Sequence, residues 1–197
     1  MSAPESSEPR AGTPGVALAP CPADIVELAA FQGRAGDLQG RAARRSIPLA
    51  SPGGVAGGSG GLSLSVRPER WLLLSAPALP GACAGHWQEA AGGCAAVVDL
   101  SSALMAFFLR GPAVHEMLAR ACRLDLAADA FPVGRAAATI MVQVPAILAR
   151  LTPGMLLLTP ATTAQHLREW LVETSRPFGL AQLRDATVSE LGGESPA

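Results

Sequence analysis

Gly61-Leu62-Ser63-Leu64-Ser65-Val66-Arg67-Pro68-Glu69-Arg70-Trp71-Leu72-Leu73-Leu74 is the stretch on which the fold turns. Leu62, Leu64 and Val66 alternate with Ser63, Ser65 and Arg67, the two-residue period of a half-buried strand. Pro68 to Arg70 supply a turn, and Trp71 to Leu74 form an apolar strand, so the segment predicts a β-hairpin.

Working outward toward the C-terminus, Ala82 to Ala91 reads as a short helix stopped by Gly92-Gly93. Ala95 to Leu100 and Leu104 to Leu109 read as two strands around Ser101 and Ser102. Gly111-Pro112 opens a helix, because proline fits a first turn where its missing N–H is not needed. Val114, Met117, Leu118, Ala121 and Cys122 then give that helix one buried face. Arg135 to Val144 and Ala146 to Leu151 are strand-like, and Pro145 between them predicts an edge or a bulge. Met155 to Leu158 predicts a buried strand, and Thr162-x-x-Gln165 a capping box opening a helix that ends at Gly179. The order β-β-α-β-β-α-β-β-α predicts an α+β fold with helices packed on a mainly antiparallel sheet.

Toward the N-terminus the signals weaken. Residues 1–22 are rich in Ser, Pro and Ala and read as a disordered leader. Residues 23–60 read as weakly structured: a short helix over Ile25 to Ala29 capped by Asp24, an arginine cluster, then a Gly-rich connector from Ser51 to Gly61. The single domain is expected over 61–180, with 181–197 a flexible tail.

Composition excludes several chemistries. All 15 basic residues are arginine, so a P-loop lysine, a Schiff-base lysine and a Ser-Lys dyad are ruled out. Tyrosine is absent as well. The net charge of -1 gives no basic footprint for nucleic acid. The longest apolar runs are too short to span a membrane, and the N-terminus, with Glu5 and Glu8, lacks a signal-type apolar region; a cytoplasmic location is expected. Charged residues make up 16% where ~25% is usual, which points to apolar surface covered by another chain.

Three constellations are candidates for chemistry. Cys83, His86, Cys94 and Cys122 invite a zinc site but lack paired knuckles, so buried small side chains fit better. Ser101 or Ser102 with Asp99 and His115 is a candidate nucleophilic set, but no G-x-S-x-G elbow surrounds either serine and His115 is expected to face solvent. The Gly-rich run lacks the G-x-G-x-x-G spacing of a dinucleotide loop. No catalytic, cofactor-binding or metal-binding residue is therefore assigned. Arg34, Arg41, Arg44 and Arg45 are either a solvated surface or a docking strip for an acidic partner.

A series of blocks carries a family resemblance: Val98-Asp99-Leu100-Ser101, Leu109-Arg110-Gly111-Pro112-Ala113, Cys122-Arg123-Leu124-Asp125-Leu126, Phe131-Pro132-Val133-Gly134-Arg135, Thr139, and Glu169-Trp170-Leu171. In their order and spacing they resemble the gamma subunits of heterotetrameric sarcosine oxidase. Within them Asp99, Ser101, Gly111, Pro112, Asp125, Gly134, Thr139 and Trp170 are the motif residues, expected to be structural. That family is similar to the first part of the aminomethyltransferase (glycine cleavage T-protein) fold, which implies a folate-binding-type α+β domain. In T-proteins an acidic pair after the matched threonine carries catalysis, whereas Gln143-Val144-Pro145-Ala146-Ile147-Leu148 holds no carboxylate. The resemblance implies a non-catalytic subunit bracing alpha, beta and delta partners. FAD, FMN, NAD and tetrahydrofolate would lie on the other subunits, and zinc on the smallest. The alternative is a stand-alone folate-binding or aminomethyltransferase-like protein.

Overall fold

Two β-sheets, not one, organise the chain, and the computed structural model describes residues 14–191 of it. In chain order come β1 (Val16–Pro20), β2 (Asp24–Ala30), α1 (Ala35–Ala43), β3 (Gly54–Gly58), β4 (Gly61–Arg67) and β5 (Arg70–Ser75). They continue with α2 (Ala82–Ala91), β6 (Ala95–Asp99), β7 (Leu104–Arg110), α3 (Val114–Ala119), β8 (Ala136–Met141), β9 (Val144–Arg150) and β10 (Gly154–Pro160). Last are α4 (Ala161–Ser175), a 3-10 turn (Arg176–Phe178), β11 (Leu180–Gln182) and α5 (Val188–Leu191). The larger sheet has the order β11-β1-β7-β10-β9-β8 and the smaller β3-β4-β5-β2-β6. Pairing is antiparallel apart from the short β1–β11 contact. The α+β class and the antiparallel character expected from sequence are what the chain adopts.

The layers follow from alternation. On the larger sheet Phe107, Leu109, Leu148, Met155 and Leu157 face α3 and α4, meeting Met117, Leu118, Leu167 and Leu171. Their neighbours Phe108, Leu156 and Leu158 face the other way, onto Ile25, Leu62, Leu64, Leu72 and Leu74 of the smaller sheet. The far side of the smaller sheet packs Val26, Leu28, Trp71 and Leu73 against Leu38 of α1 and Trp87 of α2. The result is helix, sheet, sheet, helix, with three apolar interfaces. The Trp71 indole N–H donates to Ala50 O at 2.8 Å, satisfying its buried polar atom.

The N-terminal and C-terminal expectations need correction. Of the leader, residues 1–13 lie outside the described residues, but Val16 to Ala19 are buried in β1, between β11 and β7 of the larger sheet. The segment expected as a helix over Ile25 to Ala29 is strand β2. Ile25 feeds the inter-sheet core and Val26 and Leu28 the helix-facing core, so with both faces buried the apolar residues run together and imitate a helix. The Gly-rich connector forms β3 and the start of β4. Gly60 runs so close to Arg45 O and the Ile47 side chain, each 2.8 Å from where a Cβ would sit, that a side chain has no room. In the expected tail, β11 extends the larger sheet and α5 buries Val188 and Leu191, while 192–197 lie outside the described residues.

Two local expectations also change. The capping box does not form: β10 runs straight into α4 with Pro160 as N-cap, Thr162 falls inside the first turn, and the Gln165 amide donates to Glu169 at 2.7 Å. The break between β8 and β9 is the Val142-Gln143 turn, where both residues have positive φ, and Pro145 lies inside β9. There the β9–β10 register ends at Ile147, and the Thr159 hydroxyl donates to Pro145 O at 3.0 Å. No helix among the described residues is long and apolar enough to cross a membrane.

Candidate functional site

The motif residues serve the backbone. Asp99 and Ser101 close the turn between β6 and β7: the Ser101 N–H and hydroxyl both donate to Asp99 Oδ1, at 2.9 and 2.7 Å. The Ser101 hydroxyl and backbone N–H hold the Asp99 carboxyl below its ordinary range. Ser101 Oγ in turn accepts the Ile25 N–H at 3.0 Å, tying this turn to β2. Gly111 has φ +124°, and a Cβ there would stand 2.5 Å from Gly15 O, the acceptor of the Ala113 N–H. Helix α3 therefore begins at Val114, with Pro112 exposed in the turn before it. Asp125 Oδ1 accepts the Ala127 N–H at 2.9 Å. Gly134, at φ +84°, donates to Arg150 O and accepts from Val55, both at 2.8 Å, so it stitches the two sheets together. Trp170, on α4, packs half-buried against the core between that helix and the larger sheet.

Thr139 borders a cavity. A cleft of about 290 Å³ opens between the sheets, lined by Leu64, Leu72, Leu104, Ile147 and Leu158 with Thr139 at its side. Among the described residues lining it the one carboxylate, Glu27, is engaged by Arg70 at 3.1 Å, and Arg67 stands at the rim. The rest of the described lining is mostly apolar.

The nucleophilic set does not assemble. Ser101 bonds to Asp99 directly, with no imidazole between them. His115 is half-buried on α3 and does not face solvent as expected; its Nε2 is buried with no hydrogen-bond partner among the described residues, and burial, then the Arg150 guanidinium, hold the imidazole below its ordinary range. The zinc candidates disperse as well. Cys83 Sγ lies 3.3 Å from Ser75 Oγ, Cys94 Sγ accepts from Arg34 at 3.2 Å, His86 contacts Arg45, and Cys122 sits in a bridge to Met141. Among the described residues no three His, Cys, Asp or Glu side chains converge on one point. Burial raises the Cys83 and Cys122 thiols and, with Glu190 and Asp185 adding to it, pushes Cys21 up to about 11.

Three of the four clustered arginines bind their own chain. Arg34 pairs with Asp37 at 2.7 Å, and Arg41 donates to Ala90 O at the C-terminal end of α2, where a cation is favoured. Arg45 reaches His86, and Arg44 is exposed. Sequence reasoning missed Arg150, whose guanidinium donates to Phe131 O at 2.9 Å and Leu126 O at 3.3 Å and pins the 122–134 loop. Nothing in the local pattern around Arg150 marks those acceptors.

No model of a known protein family matches the chain. It is 31% identical over 138 residues to sarcosine oxidase subunit gamma of Corynebacterium sp. (strain U-96), covering 68% of this chain and 66% of that one. It is 33% identical over 129 residues to the protein of the same name from Arthrobacter sp., covering 64% and 63%. The alignments thus span a little under two thirds of these relatives' own length. Among solved structures, a chain of the heterotetrameric sarcosine oxidase from Corynebacterium sp. U-96, in complex with pyrrole 2-carboxylate, superposes with a TM-score of 0.74 at 27% identity, over 88% of this chain and 90% of that one. The glycine cleavage system aminomethyltransferase T from Bartonella henselae shares the fold, with a TM-score of 0.64 at 15% identity, over 86% of this chain and 48% of that one. In sequence and in fold alike, the chain is similar to the gamma subunits of sarcosine oxidase.

Proposed function

We propose that the chain is the non-catalytic gamma subunit of a heterotetrameric sarcosine oxidase, bracing partner subunits that carry out the oxidative demethylation of sarcosine to glycine. The observation that carries this reading is the superposition on a chain of such an oxidase over 88% of this chain and 90% of that one. The partners are the alpha, beta and delta subunits of a cytoplasmic complex. FAD, FMN, NAD, tetrahydrofolate and zinc are held by those partners.

The residues of this chain suit that division of labour. A flavin or dinucleotide phosphate needs backbone N–H groups and a helix N-terminus, and the one Gly-rich run is spent in β3 and β4. Transfer chemistry of the aminomethyltransferase type needs free carboxylates, and the cleft's Glu27 is committed to Arg70. The motif residues Asp99, Ser101, Gly111 and Gly134 fix turns and hold the two sheets in register, which is what a rigid brace requires.

The test is affinity purification of the tagged full chain from its native cell. Co-elution of larger, flavin-yellow chains with sarcosine-dependent peroxide formation is expected. A single colourless 20 kDa species that binds tetrahydrofolate would replace this reading with the stand-alone alternative.

A further inference from the structure

Strand β8 closes the larger sheet, and among the described residues its one strand partner is β9. Both of its ends are tied. Ala136 N–H donates to Gly53 O at 2.8 Å beside the Gly54–Arg135 bridge, and Met141 bridges Cys122. The middle is not tied. The two-residue turn at Val142-Gln143 makes Met141–Val144 a hydrogen-bonded pair, and antiparallel alternation makes Thr139–Ala146 and Ala137–Leu148 bonded pairs too. The N–H and C=O groups of Ala138 and Ile140 therefore point outward, like the N–H of Ala136. At the Cys122–Met141 bridge Val142 N–H donates to Ala121 O at 3.3 Å and the 121–123 segment covers the Ile140 C=O; among the described residues no other backbone hydrogen bond is made at the N–H groups of Ala138 and Ile140 or at the Ala138 C=O.

This open edge carries none of the usual guards. Residues 136–149 contain no charged side chain, β8 has no proline, and Ile140 is 64% exposed. Beside it, Ala138 and Thr139 share the inter-sheet cleft with Val66 and Arg67 of β4. Arg67 stands directly opposite Arg70 in the hairpin register; Arg70 is neutralised by Glu27, and Arg67 has no carboxylate within ion-pair distance among the described residues.

We infer that the outer edge of β8 at Ala138 and Ile140 is the docking edge for an extended segment of a partner subunit, which adds a strand there and sets a carboxylate against Arg67. The free backbone groups supply the hydrogen bonds, and the apolar cleft takes the alternate side chains of the incoming strand. Charge decides between occupants. A second copy pairing β8 with β8 would bring another uncharged strand and leave Arg67 unanswered, whereas a partner segment with apolar residues and one acid satisfies both. The inference rests on the subunit reading above.

The test co-expresses the tagged full chain with the other oxidase subunits and measures what co-purifies. Ile140→Lys places a charge on the edge and Ala138→Pro removes one outward N–H; Leu79→Lys, at a site 78% exposed elsewhere, is the control. Each edge variant should cut partner recovery by about tenfold or more while the free chain melts as the wild type does, and the control should assemble normally. As a readout needing no variant, hydrogen exchange at 138–140 should slow by about tenfold or more on assembly. Wild-type assembly with unimpaired recovery of Ile140→Lys, or with unchanged exchange at 138–140, overturns the docking edge and leaves the subunit reading standing. A wild-type chain that recovers no partner, or that only self-associates, overturns both.

Discussion

Ser101 Oγ accepts the backbone N–H of Ile25 at 3.0 Å while donating its own proton to Asp99, so one hydroxyl joins β2 to a turn 76 residues away in sequence. A serine that could be mistaken for a nucleophile is spent in both hydrogen-bonding directions. Ser101→Ala leaves the Ile25 amide unpartnered and should cost about 1–3 kcal/mol by denaturant unfolding. The same change should return the Asp99 titration, followed by NMR, toward the ordinary carboxylate range. The lowered Asp99 value stabilises the fold at neutral pH, and that contribution fades as pH falls through the ordinary range toward the lowered one. An unchanged Asp99 titration in the variant would refute the linkage.

Arg150 holds the 122–134 loop by two carbonyl contacts, at Phe131 and Leu126. Arg150→Met keeps the aliphatic bulk and removes the donors. A loss of about 1.5–3 kcal/mol is expected, as for hydrogen bonds to a charged group, with faster proteolytic nicking in that loop. Stability and nicking equal to wild type would show the staple to be idle.

Gly111→Ala meets both a left-handed backbone and the Gly15 carbonyl. Destabilisation beyond about 1 kcal/mol is expected, against the stabilisation of about 0.4–1 kcal/mol that the same substitution brings at a compatible site. Thermal melts decide between the two signs.

His115 is held below its ordinary range by burial, then by Arg150. As pH falls below about 6.5 the unfolded chain takes up this proton before the folded one, so stability declines toward the lowered folded value and then levels. His115→Gln removes that step, and melting temperature should depend less on pH between about 7 and 5 than in the wild type. Identical slopes would place the pH dependence elsewhere.

The hairpin at 61–74 is plain in the sequence because one face of β4 is apolar and a proline-led turn follows. Strand β2 is hidden because it is buried on both faces, which erases the alternation that marks a strand. The glycines of β3 and β4 look like a linker, since composition does not distinguish flexibility from the close approach that Gly60 needs. At the site, the motif residues are visible as a spaced series, and their roles as turn closers fit their chemistry. The pairs Glu27–Arg70, Arg45–His86 and Arg150–Phe131 are invisible, because each joins positions that only the completed fold brings together. The same holds for the outward edge of β8, which depends on strand order.

On the proposed reading this chain supports an oxidase without performing its chemistry, and turnover by the assembled complex tests that division. Glu27→Gln combined with Thr139→Val removes the cleft's carboxylate and its side hydroxyl. Complexes assembled with this variant should oxidise sarcosine with kcat and KM within about twofold of wild type. A fall in kcat of about tenfold or more at full assembly, equivalent to about 1.4 kcal/mol of transition-state stabilisation, would contradict it and put catalytic machinery on this chain.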